Sequence, residues 1–250
     1  MPAVLGGFVE LLDTFGDDLT VVNAARVSFH KEVATMSPGD EKLVKYLADH
    51  HHVTPFFHPQ ARFRMKMPIF VAREWYRHQI GFARNEVSRR YVDSEPEMYL
   101  PTCVRERDVK LKQGSKATEV TDHETALALI NEANEFAKSA YTRLLALGTA
   151  PEVARTVLPQ GMYTEFIETG SLAAYSRLCA LRLDPSAQWE IRQYADAVSS
   201  LMEKAFPVSW KALGFHPSAE QQPSAEQQPL VQQSQQHPSP ETVQSVVNGC

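Results

Sequence analysis

From Arg62 to Met67 polar and apolar residues alternate without a break (Arg-Phe-Arg-Met-Lys-Met), the period of two that marks a half-buried strand. Residues 8–13 (FVELLD) and 162–168 (MYTEFIE) read as further strands, the first followed by a turn at Gly16-Asp17-Asp18. The other periodic segments have helical spacing. A short helix is predicted from Thr20 to Phe29, and Ser37-Pro38 opens another that runs to about His50, with the proline at its first position. Pro68 opens a helix through about His78; Gly81 breaks it and leaves the following charged residues on a loop. Thr121 and Glu124 have the spacing of a capping box. They precede a long stripe of Ala126, Leu129, Ile130, Ala133, Phe136, Ala137, Ala140 and Leu144, closed by Gly148. Pro151 starts a short helix that Pro159 ends, and Ser171 caps a helix to about Leu183. A final helix spans about Pro185 to Phe206, stopped by Pro207. Few strands and long helices predict an α+β fold: a small mixed or antiparallel sheet flanked by several long helices.

The pattern stops near Phe215. Beyond it the chain is Gln, Pro, Ser and Glu with few aliphatics, and it carries PSAEQQ in tandem at 217–222 and 223–228. Too little apolar surface is available there to offset the entropy of ordering, so 216–250 is predicted to be a disordered tail and 1–215 a single catalytic domain. With 250 residues, 43% of them hydrophobic, the chain can bury one large core or two small ones. No apolar run approaches the roughly 20 residues that span a bilayer. The N-terminus lacks the basic and apolar regions of a signal peptide, so a soluble, cytoplasmic protein without membrane contact is expected.

Charge singles out one segment. Between Lys66 and Lys110 there are seven arginines, Arg73, Arg77, Arg84, Arg89, Arg90, Arg105 and Arg107, and no lysine. Lysine would serve solubility equally well. A planar guanidinium with fixed donors serves bidentate recognition of phosphate or carboxylate. The same arginines could instead carry ion pairs with Glu74, Glu86, Asp93, Glu95 and Glu97. Net charge of −5 and a pI near 6.0 disfavour nucleic acid as the anion, because a duplex calls for a broad basic face. A small phosphorylated ligand fits better.

Other candidate chemistry is sparse. Cys103, Cys179 and Cys250 show no CxxC or Cys/His ligand pattern, and Cys179 lies in an apolar stretch that reads as core. His50, His51 and His52 are consecutive and point in different directions, a poor arrangement for a metal, so no metal site is expected. His78 at a helix end either caps carbonyls or offers a neutral imidazole to a heteroaromatic ring. Arg155 and Arg182 follow small and apolar residues and need an anionic partner, either a structural carboxylate or a substrate phosphate. No Ser/His/Asp arrangement surrounds Ser88, which reads as a binding hydroxyl, and no glycine-rich phosphate cradle is present.

Residues 77–91, RHQIGFARNEVSRRY, resemble the signature of flavin-dependent thymidylate synthases: Arg-His-Arg, a spacer, Ser, then Arg-Tyr shortly after. AARVSF (24–29), HHVTPFFH (51–58), PIFVAREWYRH (68–78), ARTVLPQGMYTEF (154–166) and ALRLDPSAQWEIRQYA (180–195) are similar to the family's other blocks, in the same order. The resemblance covers essentially 1–215. It implies reductive methylation of deoxyuridine monophosphate, with methylenetetrahydrofolate as carbon donor, NADPH as reductant and FAD as hydride carrier. It also implies a homotetramer whose active sites draw on several subunits.

Carried over residue by residue, the resemblance places Arg77, Glu86, Ser88, Arg89 and Arg90 on the substrate, with Glu74 close by. Arg155 and Arg182 fall on arginines that hold the phosphate and the uracil, and Arg182 takes the electrostatic role in catalysis. Ser28, Thr54, Arg77, His78, Gln79, Ile80, Asn85, Glu86 and Arg177 fall on flavin contacts. The departures cluster on the flavin side. Gln79 replaces the signature's second arginine, and the spacer from it to Ser88 is one residue longer than the signature's. Phe57 stands where an acidic residue is expected, and Ser171-Leu172-Ala173 replaces an Asn-x-Arg. These departures motivate an alternative, a nucleotide-binding family member that has lost flavin chemistry. A nucleic-acid-binding protein using the arginine segment as a basic arm is the third reading, opposed by the acidic net charge.

Overall fold

The computed structural model describes residues 2–92, 94–109 and 114–214. The predicted tail therefore lies outside the described residues. Two central strands organise the fold: β3 (Gln60–Pro68) and β7 (Tyr163–Ser171) pair antiparallel along their whole length, from Gln60 opposite Ser171 to Pro68 opposite Tyr163. On β3 the predicted alternation is realised, with Phe63, Met65 and Met67 fully buried and Arg62 and Arg64 exposed. β2 (Gly7–Phe15) joins β3, and the short β1 (Ala3–Val4) joins β2. On the other flank, β4 (Phe82–Glu86) pairs with β7 and completes an antiparallel sheet of order β1-β2-β3-β7-β4. A separate hairpin of β5 (Arg105–Arg107) and β6 (Ser115–Glu119) stands apart from it.

One sheet face is covered by helices. α1 (Asp18–Arg26), α3 (Ile69–Trp75), α6 (Leu172–Arg182) and α7 (Trp189–Ala205) supply Val21, Val22, Trp75, Tyr175, Leu178, Ile191, Tyr194 and Val198 to the core. α2 (Pro38–Asp49) and α8 (Pro207–Ala212) pack together at its margin. α6 is buried along most of its length, as Leu172 to Ser176, Leu178 and Cys179 show, so its arginines emerge only late, at Arg177 and Arg182. None of the described helices is long and apolar enough to cross a membrane.

Several expected elements differ. The arginine-rich segment is a loop only in part: Arg77, Arg89 and Arg90 lie in turns, but Gly81, at φ 84°, reverses the chain, and Phe82–Glu86 forms the edge strand β4, which carries Arg84. Its charged side chains conceal the period of two that would have marked it. α3 ends at Trp75 rather than His78, the chain continuing as a turn in which Arg77 N donates to Glu74 O and His78 N to Trp75 O. α4 (His123–Ala146) is capped by Asp122, whose side chain accepts from Thr125 N, not by Thr121. Its apolar stripe is largely uncovered: Asn134, Ala137 and Tyr141 are buried, while Leu129 is 60% and Phe136 76% exposed. The final helix is two helices, because Pro207 starts α8 instead of only stopping α7. Asp18, buried at the start of α1, accepts from Val208 N at 2.9 Å and Ser209 N at 2.8 Å, a cap from a residue distant in sequence.

Candidate active site

The last turn of α3 and the last turn of α6 bring Glu74 and Arg182 together as an ion pair. Arg182 Nε also donates to His78 Nε2 at 2.9 Å. A ring nitrogen that accepts a hydrogen bond carries no proton, so His78 is held as the neutral imidazole with its proton on Nδ1. The electrostatics agree: burial first, then the guanidinium groups of Arg182, Arg84 and Arg177, lower its pKa to about 4. Glu74 and Arg182 open onto a cavity of about 320 Å³ whose other walls are Leu181, Ser186, Ala187 and Gln188.

The turn beyond His78 is fixed from beneath. Arg177 Nη2 donates to Ile80 O at 2.6 Å, and Ser171 N donates to Gly81 O at 3.1 Å. A Cβ on Gly81 would lie 2.9 Å from Ala174 Cβ and 3.1 Å from Ser171 Oγ, so the close approach, like the positive φ, requires glycine. Small residues beneath this turn are thus a packing requirement, and Ser171 additionally caps α6 through Ala174 N at 3.2 Å. Ala173 is buried. Phe57 has its own use: the Arg177 guanidinium lies 5.7 Å from its ring centroid, a cation–π contact where an acid was expected. Phe57 ends the 3-10 turn Thr54–Phe57, which packs against α1 and α6. Thr54 there, Ser28 in the 3-10 turn Val27–Phe29, and Arg77 and Gln79 are all exposed, and Ile80 is 72% exposed.

A second group of candidate residues follows β4. Glu86 accepts from Thr164 Oγ1 at 2.5 Å, and Val87 N donates to Glu165 O at 2.8 Å, which anchors the strand's end. The chain then turns tightly at Ser88, whose carbonyl accepts from Tyr91 N at 3.0 Å and whose Oγ accepts from Arg90 N at 3.3 Å. Arg89 donates to Ser94 O. Arg90 Nε lies 3.3 Å from Glu152 on α5 (Pro151–Ala154), and Arg155 Nε donates to the same residue's carbonyl at 3.4 Å. Arg90 thus meets the Glu152 carboxylate, while Arg155 touches only that residue's main-chain carbonyl. Asn85 lies on the opposite face of β4 from its neighbours Arg84 and Glu86 and is exposed.

Hydrogen bonds and an ion pair thus link Glu74, His78 and Arg182, and Arg177 holds the 79–81 turn, while Glu86, Ser88, Arg90 and Arg155 make their own contacts at the end of β4 and around Glu152. The acids expected to neutralise the arginine segment are engaged elsewhere. Glu74 pairs with Arg182, Glu95 with Lys138 and Glu97 with Lys66, while Asp93 lies outside the described residues. Arg84 and Arg105 do carry ion pairs, with the distant Glu168 and Glu190. Sequence reasoning missed Glu168 and Glu152. For Glu168 a signal existed: it occupies the same parity as the buried Thr164, Phe166 and Gly170.

Fold and site together describe an α+β domain whose arginines gather around the ends of α3, α6 and β4. Residues 10–208 match the family model described as thymidylate synthase complementing protein. The chain is 41% identical over 216 residues to a flavin-dependent thymidylate synthase of Thermus thermophilus, covering 86% of this chain and 78% of the relative. With the flavin-dependent thymidylate synthase of Thermosipho melanesiensis it shares 42% identity over 207 residues, covering 82% and 90%. Among solved structures, the UMP/dUMP methylase PolB of Streptomyces cacaoi bound with 5-Br dUMP is similar at a TM-score of 0.73 and 31% identity, over 82% of this chain and 94% of that one. The chain belongs to the family of flavin-dependent thymidylate synthases.

Proposed function

We propose that this protein methylates deoxyuridine monophosphate to thymidine monophosphate, with methylenetetrahydrofolate as carbon donor, NADPH as reductant and FAD as the redox cofactor. The observation that carries the reading is the Glu74–Arg182–His78 constellation beside its cavity. Activating C5 of a uracil places negative charge on a ring carbonyl, and a cation held in advance by a carboxylate meets that charge without reorganising. Arg182 takes this role, and Glu74 orients it. Arg90 and Arg155, with Arg77 and Arg89, suit the phosphate because their planar forks donate to its oxygens bidentately. Glu86 and Ser88 supply acceptor and hydroxyl contacts to the rest of the nucleotide.

The donor set on the other side suits a flavin. Exposed Ile80 offers an apolar face, His78 a neutral imidazole, Arg177 a cation, and Ser28, Thr54, Gln79 and Asn85 polar contacts. Bound there, FAD would supply the hydride chemistry while the protein supplies orientation. A homotetramer with shared sites accounts for the uncovered stripe on α4. The nucleotide and folate are then its small-molecule partners, and no nucleic-acid role is assigned.

A second reading, a nucleotide-binding member without flavin chemistry, draws on buried Ala173 and neutral Phe57, which replace polar flavin-side positions. One assay separates the two: purified protein with FAD, NADPH, methylenetetrahydrofolate and deoxyuridine monophosphate, read by mass spectrometry. Thymidine monophosphate that disappears when FAD is stripped is the expected result. Folded protein that binds the nucleotide yet forms no product with FAD present would establish the second reading.

A further inference from the structure

Glu168 lies in the middle of β7 and is 0% exposed, a carboxylate surrounded by core. Directly across the ladder stands Arg84 of β4, and the two form an ion pair. Trp75 Nε1 donates to both Glu168 oxygens, at 3.2 and 3.3 Å. The Arg84 guanidinium is 4.7 Å from the Phe82 ring centroid and 5.4 Å from that of Tyr76. Among the described residues β4 has a ladder partner on one side only. Backbone pairing alone fixes such an edge strand weakly, because a slip of two residues preserves which side chains face the core. That slip would carry Arg84 about 7 Å along the strand and strand Glu168 as a buried charge without its cation, which is strongly unfavourable.

We propose that the Arg84–Glu168 pair is a positioning device for the nucleotide site, selecting the one register of β4 that presents Glu86 and Ser88. The inference rests on the function proposed above. The His78–Gly81 turn enters β4, and Glu86 and Ser88 leave it. Neither Arg84 nor Glu168 lines the cavity at Arg182, so the pair acts through the residues it places. His78 is faced by Arg84 from β4 and by Arg177 and Arg182 from α6, the latter paired with Glu74 of α3.

The test uses the full chain and two variants. Arg84→Met/Glu168→Gln removes both charges while preserving approximate volume; Arg84→Lys keeps the buried charge paired but loses the planar group between two rings. Three quantities are read: the His78 titration by NMR, amide exchange along β4, and kcat and KM for deoxyuridine monophosphate. The double variant is expected to show a raised His78 pKa, faster exchange at β4 and a KM increased about tenfold, and Arg84→Lys a smaller KM increase with His78 close to wild type. Lower thermal stability with unchanged His78 titration, β4 exchange and KM would make the pair merely structural and overturn the proposal. If the wild type itself fails to bind or convert deoxyuridine monophosphate, the functional reading fails. The His78 and exchange measurements then still decide whether the pair positions the strand.

Discussion

His78 shows how a single residue is specified by its neighbours. Its Nε2 accepts from Arg182, and burial together with three guanidinium groups lowers its pKa from 6.5 to about 4. Between those values the unfolded chain binds a proton that the folded chain does not, so stability rises with pH through the interval and falls as acid approaches the lower value. One proton sets a ceiling of about 1.4 kcal/mol per pH unit, and partial solvation keeps the slope below it. Denaturation of wild type and His78→Gln across this interval is expected to show a shallower slope in the variant; parallel slopes would mean that His78 titrates normally. The type of residue at 78, and its proximity to a helix end, were legible in sequence. Its partner was not, because Arg182 lies 104 positions away and on another helix. Glu168 was hidden for a related reason: its strand parity was visible, but the cation that neutralises it belongs to a segment whose strand character was masked by charge.

At the level of elements, local signals worked where one residue determines one terminus. Ser37-Pro38 starts α2 and Ser171 caps α6, as their sequences indicated. They failed where a distant residue determines the end. α8 begins at Pro207 because Asp18 receives two of its first amides, a contact between residues 190 and 191 positions apart. Replacing Asp18 with Ala leaves those amides buried without an acceptor and is expected to destabilise the fold by about 1–2 kcal/mol, read as a lower urea midpoint with the slope unchanged. An unchanged midpoint would show that the cap contributes nothing. β4 was missed because tertiary pairing with β7 outweighs the weak strand preference of Arg-Asn-Glu.

At the scale of the whole molecule, the long helix α4 has the apolar periodicity of a packed helix but buries little of it within one chain. The stripe was legible; what covers it was not, since a single sequence does not distinguish an intramolecular neighbour from a second copy. If α4 packs against a second copy, as the proposed homotetramer requires, Phe136→Glu is expected to lower the mass seen in sedimentation, and an unchanged mass would exclude α4 from that contact. The homotetramer proposed above would draw Arg182 and Arg155 of one site from different subunits. Mixing two inactive variants tests this central point most directly. Arg182→Ala and Arg155→Ala are each expected to lose nearly all turnover while remaining folded. Reassembled together in equal amounts, they should regain about a quarter of wild-type turnover, the fraction of sites drawing an intact Arg182 from one subunit and an intact Arg155 from another. No recovery from verified mixed assemblies would contradict a site shared between subunits.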